Sequence, residues 1–479
     1  MNTFSNAMKN TVANKMTTTT NGMPARVSTT SKVLDLFGAI GNARKIDLSG
    51  LFNASYAENS DLTLRMLMWV RDITEGSGER STFRKLLRNL EVSNPAEAAK
   101  FMEKVPVIGR WDDLFAYEDP INRRAALEFF AEALRNGNML AAKWAPREKS
   151  AKSKWASELR ATLGLTPKQY RKLLVENTQV VETQMCAKQW DQINFSHVPS
   201  MASARYQKAF GKNAADRYSE YLRELQKPQD QRDQKVKINA KALFPYDVLN
   251  SVLNGNPAIA DEQWKALPNF VGDAKIFPMV DVSGSMGSFG VGDASSPINA
   301  AVSLGLYVAD KNTGPFKDLF LTFSNKPEIL HLKGSLSQKI SQMTKSHWET
   351  NTNLEAAFAK ILEVAVVNKV NQEDMPDALV IFSDMQFDAA VGHNGNRAID
   401  MARQKYEQAG YNIPKIIFWN LNGYFASQNV PVKFDEHNTA HVSGYSPALM
   451  KSVLSNDLEE FTPYNVMIST LMKSRYDIE

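Results

Sequence analysis

The sequence predicts an α plus α/β protein, in which an all-α region precedes an α/β region. From Val33 to about Leu249, apolar residues recur three and four positions apart, as in AALEFFAEAL and DRYSEYLREL, which is the spacing of amphipathic helices. After residue 270 the pattern changes to short apolar runs that alternate with helical segments. The length of 479 residues also exceeds what one ordinary hydrophobic core organises.

The helical pattern of residues 31–250 predicts antiparallel helix pairs stacked as a helical repeat of the HEAT type. Short turns such as EGSGER and SNPAEA separate the helices, although no repeat of about 33 to 47 residues stands out by eye. The preceding residues 1–30 are polar and rich in Thr and Asn, without a sustained period. We therefore expect a flexible N-terminal arm over residues 1–30.

The third predicted domain, residues 271–479, has the pattern of a parallel sheet. Four apolar runs read as buried strands, and helical segments separate them: KIFPMVDV, DLFLTFS, ALVIFSD and KIIFWNL. Continuous apolar strands are typical of a Rossmann-like sheet that helices cover on both faces. A ligand site is then expected where the strands end and the loops begin.

The composition is that of an ordinary globular protein, with 43% hydrophobic and 23% charged residues. The single cysteine, Cys186, cannot form an internal disulfide, and the first 30 residues lack the apolar core of a signal peptide. No apolar run approaches the roughly 20 residues that span a bilayer. These features predict a cytoplasmic protein with no membrane partner.

The net charge of +4 conceals two regions of opposite sign. Residues 1–250 contain 38 Lys and Arg against 27 Asp and Glu, whereas residues 251–479 contain 18 against 25. A basic region joined to an acidic one suggests two tasks, and the basic one is a candidate for nucleic acid.

The first apolar run ends in a group of oxygen ligands, Asp281-x-Ser283-x-Ser285. One carboxylate and two hydroxyls suit Mg²⁺ or Mn²⁺ better than Zn²⁺, which prefers His and Cys. Thr352 precedes the helical segment LEAAFAKILEV, and Asp384 ends the run ALVIFSD, so both are expected at the same edge of the sheet. The alternative is a polar turn in which the serines cap a helix.

This order of Asp-x-Ser-x-Ser, Thr and strand-terminal Asp resembles the metal-ion-dependent adhesion site of von Willebrand factor A domains. The resemblance implies that Asp281, Ser283, Ser285, Thr352 and Asp384 hold the metal directly or through water. In that family the metal keeps one position open for a partner's carboxylate, so the resemblance also implies an acidic protein ligand. It implies binding and not catalysis.

The sequence contains no enzyme signature that we recognise. The run GSMGSFGVG has neither G-x-G-x-x-G nor the P-loop pattern, and Ser283 replaces the first glycine that a nucleophile elbow requires. The six histidines form no H-E-x-x-H pair. The protein is therefore predicted not to be an enzyme.

A basic stretch with interleaved aromatic residues is the candidate RNA surface. Cations neutralise phosphates, and Trp144, Trp155 and Tyr170 are available to stack on unpaired bases. The alternative is that the cations are solvated and the aromatic residues belong to the core. The predicted RNA-binding residues are Lys143, Arg147, Lys149, Lys152, Lys154, Arg171 and Lys172.

The segment RDITEGSGER, residues 71–80, is similar to the R-D-x-x-x-G-x-G-E-R signature of TROVE proteins, the Ro autoantigen relatives. The segments GRWDDLFAY, KWAPR, YRKLL and VSGYSPALMKSVL resemble more closely an uncharacterised bacterial and phage family with the same layout. The Ro resemblance implies a toroid of helical repeats ahead of an A domain, and binding of single-stranded or misfolded RNA. A phage origin would place the protein in the host cytoplasm.

Taken together, these patterns predict a non-enzymatic RNA-binding protein that resembles Ro ribonucleoproteins and carries a Mg²⁺ site for partner docking. The alternative is a metal-dependent protein-interaction module whose basic face binds no RNA. If a chelator that removes the metal abolishes capture of a protein partner, the alternative is favoured. RNA binding that weakens as the salt concentration rises favours the first interpretation.

Overall fold

The computed structural model describes residues 16–478 except 45, 179, 229, 241–242, 256, 291–295, 324–325, 346–351, 388–397, 423–429 and 455–459. Its helical region, about residues 16–270, precedes a mixed α/β region, as predicted. Before residue 271 the helices and strands are β1 (Met16–Thr18), β2 (Pro24–Arg26), α1 (Lys32–Ile40), α2 (Ser49–Glu58), α3 (Ser60–Arg71), α4 (Arg80–Ser93), α5 (Pro95–Ala99), α6 (Val105–Ile108), α7 (Pro120–Arg135), α8 (Met139–Trp144), α9 (Ser153–Thr162), α10 (Pro167–Glu176), α11 (Val181–Cys186), α12 (Ser200–Asn213), α13 (Ala215–Gln226), α14 (Pro245–Leu253) and α15 (Pro257–Lys265).

The later elements form the α/β region. They are β3 (Ile276–Asp281), α16 (Pro297–Lys311), β4 (Leu319–Phe323), β5 (Glu328–His331), α17 (Leu336–Thr344), α18 (Leu354–Val367), β6 (Ala378–Ser383), α19 (Ala398–Gln408), β7 (Lys415–Asn420), β8 (Thr439–Ser443), α20 (Leu449–Val453) and α21 (Pro463–Leu471). The strand order is β5-β4-β3-β6-β7-β8. Every pairing is parallel except that of β4 with β5.

The predicted strands are present as β3, β4, β6 and β7, but the sequence analysis missed β5 and β8. Strand β5 is a partly exposed edge strand and carries Glu328 and His331, so it lacks an apolar run. Strand β8 is buried, but its sequence TAHVS is too polar to read as a core strand. The chain order reverses between β3 and β6, and this switch point is where ligands bind in open α/β sheets.

Two layers of helices cover the sheet. On one face, Met279, Ile381 and Phe418 pack in a core with Phe358 of α18 and Ile399 of α19. On the other face, α16 lies so close to the strands that a Cβ at Gly305 would fall 2.4 Å from Val280 Cγ2 and 2.7 Å from Phe320 Cε2. The glycine therefore permits the close approach of this helix.

Local caps fix where several helices begin. The Ser31 hydroxyl accepts a hydrogen bond from Leu34 N at the start of α1, and Thr166 and Gln169 form a capping box at the start of α10. At α18 the side chain of Asn353 accepts from Ala356 N at 2.9 Å. This cap sets the first turn of α18 directly after Thr352.

The chain divides into two compact units, and the division differs from the predicted domains 1–30, 31–250 and 271–479. The first unit comprises the described residues of 1–66 and 243–476 and contains the six-stranded sheet, so we call it the α/β unit. The second comprises those of 67–242 and 477–479, and we call it the helical unit. Residues 16–30 were predicted to be a flexible arm, yet they contain two strands, and Thr19, Met23 and Ala25 are buried. Residues 1–15 of the predicted arm lie outside the described residues.

Helix α1 belongs to the first unit because its C-terminal end is hydrogen-bonded to the sheet. Ser443 Oγ donates to Phe37 O at 2.8 Å and accepts from Gly41 N at 3.0 Å. The Asn42 amide donates to Asn420 O at 2.9 Å. The helical pattern identified this segment correctly as a helix, but it gave no sign that the helix packs on strands 378 to 406 residues further along the chain.

In the second unit, helices that are close in sequence pack against one another, as α4 with α5, α7 with α9 and α12 with α13. Phe115, Phe129, Phe130 and Trp111 form an aromatic cluster in this unit, with ring centroids 5.2 to 5.5 Å apart. Among the described residues, no helix is both long enough and apolar enough to cross a lipid bilayer.

The close approach of α1 to β8 predicts a stability difference between two glycine substitutions. A Cβ at Gly41 would lie 2.2 Å from Ser443 O, a backbone atom, whereas a Cβ at Gly50 in α2 meets nothing within 4 Å. Gly41→Ala should lower the free energy of unfolding by about 1–3 kcal/mol, because α1 must shift. Gly50→Ala should leave it unchanged or raise it by up to about 1 kcal/mol. Urea titration measures both, and equal effects would contradict the described packing.

His441 predicts a pH dependence of stability. Its side chain on β8 is buried against Gly38, and neither ring nitrogen has a hydrogen-bond partner among the described residues. Burial lowers the pKa of His441 to about 4, against an opposing effect of Asp35. Because the unfolded imidazole has the higher pKa of 6.5, the unfolded state binds the proton more tightly. Stability is lost as the pH falls from about 6.5 toward 4, by about 3 kcal/mol.

His441→Leu should remove this part of the acid sensitivity, because leucine is apolar and does not titrate. The measurement is the free energy of unfolding of both proteins between about pH 7 and pH 4.5. His437→Gln is the control, since His437 is exposed and should keep the wild-type slope. Parallel slopes for wild type and His441→Leu would show that the buried imidazole is not the responsible group.

Candidate functional site

The candidate site begins with a carboxylate at the end of strand β3. Asp281 is fully buried, and both of its oxygens are engaged. Ser283 N donates to Oδ1 at 2.9 Å, and the Ser383 hydroxyl donates to Oδ2 at 2.6 Å. Because Ser383 ends the neighbouring strand β6, this hydrogen bond ties together the two strand ends at the switch point.

The second carboxylate, Asp384, directly follows β6 and is also fully buried. Its Oδ1 accepts from Gln386 N at 3.1 Å. Its Oδ2 is buried and has no hydrogen-bond partner among the described residues. A buried carboxylate oxygen without a donor is rare in folded proteins, and a water molecule or a cation beside it would satisfy it.

The predicted hydroxyl residues lie at the same edge. Ser283 and Ser285 are joined by a hydrogen bond of 3.0 Å between their Oγ atoms, and the Ser285 side chain is close enough to Asp384 to lower the pKa of that carboxyl. Thr352 is buried, and Asn21 Nδ2 donates both to its Oγ1, at 3.4 Å, and to Gln386 O, at 2.8 Å. Thr352 is thereby held beside the loop that follows Asp384.

The electrostatics of this edge favour a cation. Burial, together with the negative charge of Asp384, raises the pKa of Asp281 to about 7, although hydrogen bonds from Ser383 and Ser283 oppose the shift. Burial likewise raises the pKa of Asp384, against the opposing effects of the nearby Ser285 side chain and the Gln386 amide. Two buried carboxylates that disfavour each other's ionisation are stabilised as anions by a bound cation.

The donor set is consistent with Mg²⁺ or Mn²⁺ and not with a site rich in nitrogen or sulfur. In the part of the chain that the structure describes, no group of three or more His, Cys, Asp and Glu is arranged to hold a metal. The candidate site instead combines two carboxylates with three hydroxyls, which are oxygen ligands of the kind that hard cations take. The residues and the unpaired Asp384 Oδ2 therefore fit a divalent cation.

The signature segment of the helical region forms a buried ion-pair network. Arg71 Nε lies 2.7 Å from Asp113, and Arg84 pairs with Asp113 at 2.7 Å and with Asp112 at 3.0 Å. A Cβ at Gly109 would fall 2.7 Å from the Arg71 and Asp113 side chains. The segments RDITEGSGER and GRWDD thus meet through the ion pair of Arg71 with Asp113.

The predicted RNA-binding residues divide into paired and exposed groups. Lys152 pairs with Asp112 at 3.1 Å, Arg171 with Glu148 at 3.4 Å, and Lys172 with Glu176 at 3.6 Å. Three others, Arg147, Lys149 and Lys154, are exposed, and Lys143 is half-buried with its ammonium 5.8 Å from the Trp144 ring centroid. No described contact gathers the seven cations into one site.

Two of the three predicted stacking residues are engaged within the unit. Tyr170 is buried and donates its hydroxyl to Pro146 O at 3.0 Å. Trp155 packs on Phe115, and the Arg123 guanidinium lies 3.8 Å from its ring centroid. Trp144 remains partly exposed, so it is the better candidate for a base contact.

Sequence reasoning missed an arginine near Trp144. The guanidinium carbon of Arg110 lies 4.5 Å from the Trp144 ring centroid. Burial lowers the pKa of Arg110, and the nearby charges of Arg80 and Arg71 lower it further, so cations concentrate here. The available signal was the arginine of GRWDD, which lies two positions before the first acidic residue of the network. We call Arg110, Lys143 and Trp144 the tryptophan cluster.

A separate cavity of about 520 Å³ lies in the helical unit. Its lining includes the side-chain amides of Gln184, Gln189, Gln192 and Asn194, together with His197. Neutral amides offer both hydrogen-bond donors and acceptors and suit an uncharged polar ligand.

Two family descriptions match this chain. The family described as "Domain of unknown function (DUF2828)" matches residues 19–111 and 127–273, which is half of the chain. The chain belongs to the DUF2828 family. A second family, "Domain of unknown function (DUF7788)", matches residues 276–471 and so covers the sheet. The DUF2828 match begins within the hairpin of β1 and β2, which places these residues in the family's region.

A curated relative of this DUF2828 protein is "Uncharacterized protein L728" of Acanthamoeba polyphaga mimivirus. The two are 29% identical over 515 residues, which cover 95% of this chain and 86% of the relative. The similarity therefore extends through both the helical and the α/β regions.

The unpaired oxygen of Asp384 predicts stabilisation by a divalent cation. At about 100 times its dissociation constant, Mg²⁺ or Mn²⁺ should raise the free energy of unfolding by about 2.7 kcal/mol, because only the folded chain gathers the ligands. Asp384→Asn should abolish that increment, whereas Asp273→Asn, at an exposed position, should retain it. Thermal unfolding with cation and with chelator measures the difference. An increment that survives Asp384→Asn would mean that the cation binds elsewhere.

Proposed function

We propose that the α/β unit is a von Willebrand factor A-type domain that binds a divalent cation and docks an acidic partner. The observation that carries the proposal is the buried, unpartnered Asp384 Oδ2 beside Asp281 at the switch point of the sheet. Asp281, Ser283, Ser285, Thr352 and Asp384 would hold the cation. When bound, Mg²⁺ or Mn²⁺ supplies a positive charge that attracts a carboxylate.

The exposure of these residues supports an approach route for the partner. Asp281, Ser283, Thr352 and Asp384 are each at most 1% exposed, whereas Ser285 is exposed. A carboxylate from another molecule would reach the site from the Ser285 side of the loop. The proposal is of binding, not catalysis, and it includes no nucleophile or general base.

RNA binding by the helical unit is a second candidate function, and the tryptophan cluster is the observation that favours it. Arg110 and Lys143 both approach the ring of the partly exposed Trp144. Arginine and lysine neutralise phosphates, and an accessible indole stacks on an unpaired base. We infer single-stranded or misfolded RNA as the ligand, on a helical repeat of the HEAT type like the Ro toroid.

The two candidate functions make the protein a cytoplasmic ribonucleoprotein component whose A-type domain recruits an acidic protein. They are separable because their residues lie in different units. Loss of one activity should leave the other intact, and this allows each to be tested with its own variants.

Acidic-ligand docking predicts capture that depends on the cation. The full chain should bind an immobilised glutamate-rich peptide in Mg²⁺ and release it on chelation, because the peptide carboxylate needs the bound charge. Asp281→Ala should weaken binding at least tenfold, and the exposed-site variant Asp273→Asn should not. If neither the chelator nor Asp281→Ala weakens binding of the peptide, the proposed docking mode is wrong.

RNA binding predicts a specific loss on mutation of the tryptophan cluster. Trp144→Ala should weaken binding of a single-stranded RNA about tenfold, since stacking contributes about 1–3 kcal/mol per base. Arg110→Ala should weaken it and reduce the slope of log affinity against log salt by about one ion. Arg124→Ala is the charge-matched control, because Arg124 is 83% exposed and paired with Glu128. Fluorescence anisotropy at several salt concentrations measures each variant, and no binding by wild type at low salt would remove this function.

A further inference from the structure

The turn between β1 and β2 lies against the candidate cation site. Gly22 N donates to Thr19 O, and Thr19 N donates to Met23 O, each at 2.9 Å, which closes the turn. Gly22 has a φ of +90°, a conformation that favours glycine. Met23 is buried in the same core as Met385 and Phe387, so the hairpin is anchored beside the loop that follows β6.

Polar groups of the turn then make four hydrogen bonds across more than 330 residues of chain. Thr19 Oγ1 donates to Phe387 O at 2.6 Å, and Thr20 N donates to Gln386 Oε1 at 2.8 Å. Asn21 Nδ2 donates to Gln386 O at 2.8 Å and to Thr352 Oγ1 at 3.4 Å. Every one of these acceptors belongs either to a candidate ligand or to the loop that begins at Asp384.

The loop that the turn holds contains an unfavourable backbone conformation. Met385 has a φ of +65°, in the left-handed region that non-glycine residues rarely adopt. On its N-terminal side, Met385 N is fixed by the Ser383 hydroxyl at 3.1 Å. On its C-terminal side, the turn holds Gln386 and Phe387 through the hydrogen bonds just described. A residue in such a strained backbone conformation persists only where the contacts around it hold it in place.

We propose that the turn Thr19–Gly22 is a positioning element of the cation site, with Asn21 as its central residue. The turn supplies no carboxylate. It holds Thr352 and the loop from Asp384 to Phe387 in the arrangement that binds the cation, as outer groups orient metal ligands elsewhere. The inference rests on the proposed cation site and adds residues from the opposite end of the chain to it.

The test compares Mn²⁺ binding to the full-length chain by electron paramagnetic resonance, which detects free Mn²⁺. Asn21→Ala should raise the dissociation constant for Mn²⁺ at least tenfold, the effect expected for an orienting residue. Asn254→Ala is the matched control, because the exposed Asn254 amide donates locally to Asn250 O and Oδ1, and its loss should leave binding unchanged.

A second readout separates positioning from simple loss of stability. The melting temperature in chelator should be nearly the same for Asn21→Ala and wild type, and the rise that Mn²⁺ produces should be smaller in the variant. In Asp384→Asn, which removes the site's own carboxylate, a further Asn21→Ala change should have no effect on Mn²⁺ binding.

The outcomes distinguish the two proposals. If wild type binds no Mn²⁺, the proposed cation site itself fails. If wild type binds Mn²⁺ and Asn21→Ala binds it equally well, the cation site stands and the positioning role of the turn is rejected. Tighter binding by Asn21→Ala would also reject it, because the turn would then be a cover that the cation must displace.

Discussion

Two carboxylates buried at the ends of neighbouring parallel strands are the constraint on which the rest of the α/β unit depends. The parallel pairing of β3 with β6 brings Asp281 and Asp384 to one edge of the sheet. Neither carboxylate is tolerated in an apolar interior without donors or a counter-charge. The Ser383 hydroxyl and the backbone amides of Ser283 and Gln386 donate to these carboxylates, which explains why this edge is polar although its strands are apolar.

The N-terminal segment is hydrogen-bonded to the same edge of the sheet. The turn of the hairpin bonds to residues just after β6, and the end of α1 bonds to Asn420 and Ser443, the last residues of β7 and β8. Residues 16–42 therefore follow the carboxyl ends of successive strands. The edge that carries the candidate site is also the edge to which the beginning of the chain is attached.

The sheet and its two carboxylates were predictable from sequence because their determinants are local. Continuous apolar runs mark buried strands, and a polar residue directly after such a run lies at the sheet edge. The hairpin was not predictable, since Thr19, Thr20 and Asn21 resemble a disordered tail and their partners lie more than 330 residues away. The basic residues show a similar limit. Lys172 has an acidic residue four positions later, which its sequence shows, but the pairing of Lys152 with Asp112 depends on tertiary packing.

The discontinuous first unit has a consequence for synthesis on the ribosome. Its hairpin and first helix are synthesised before residues 67–242, and the strands that they bind are synthesised after them. Several helices of residues 67–242 pack against helices that are close in sequence, a pattern that favours folding during synthesis. The contacts of residues 16–42 with the ends of β6, β7 and β8 can form only after those strands have been synthesised, so this edge of the sheet closes after the intervening helices are available to fold.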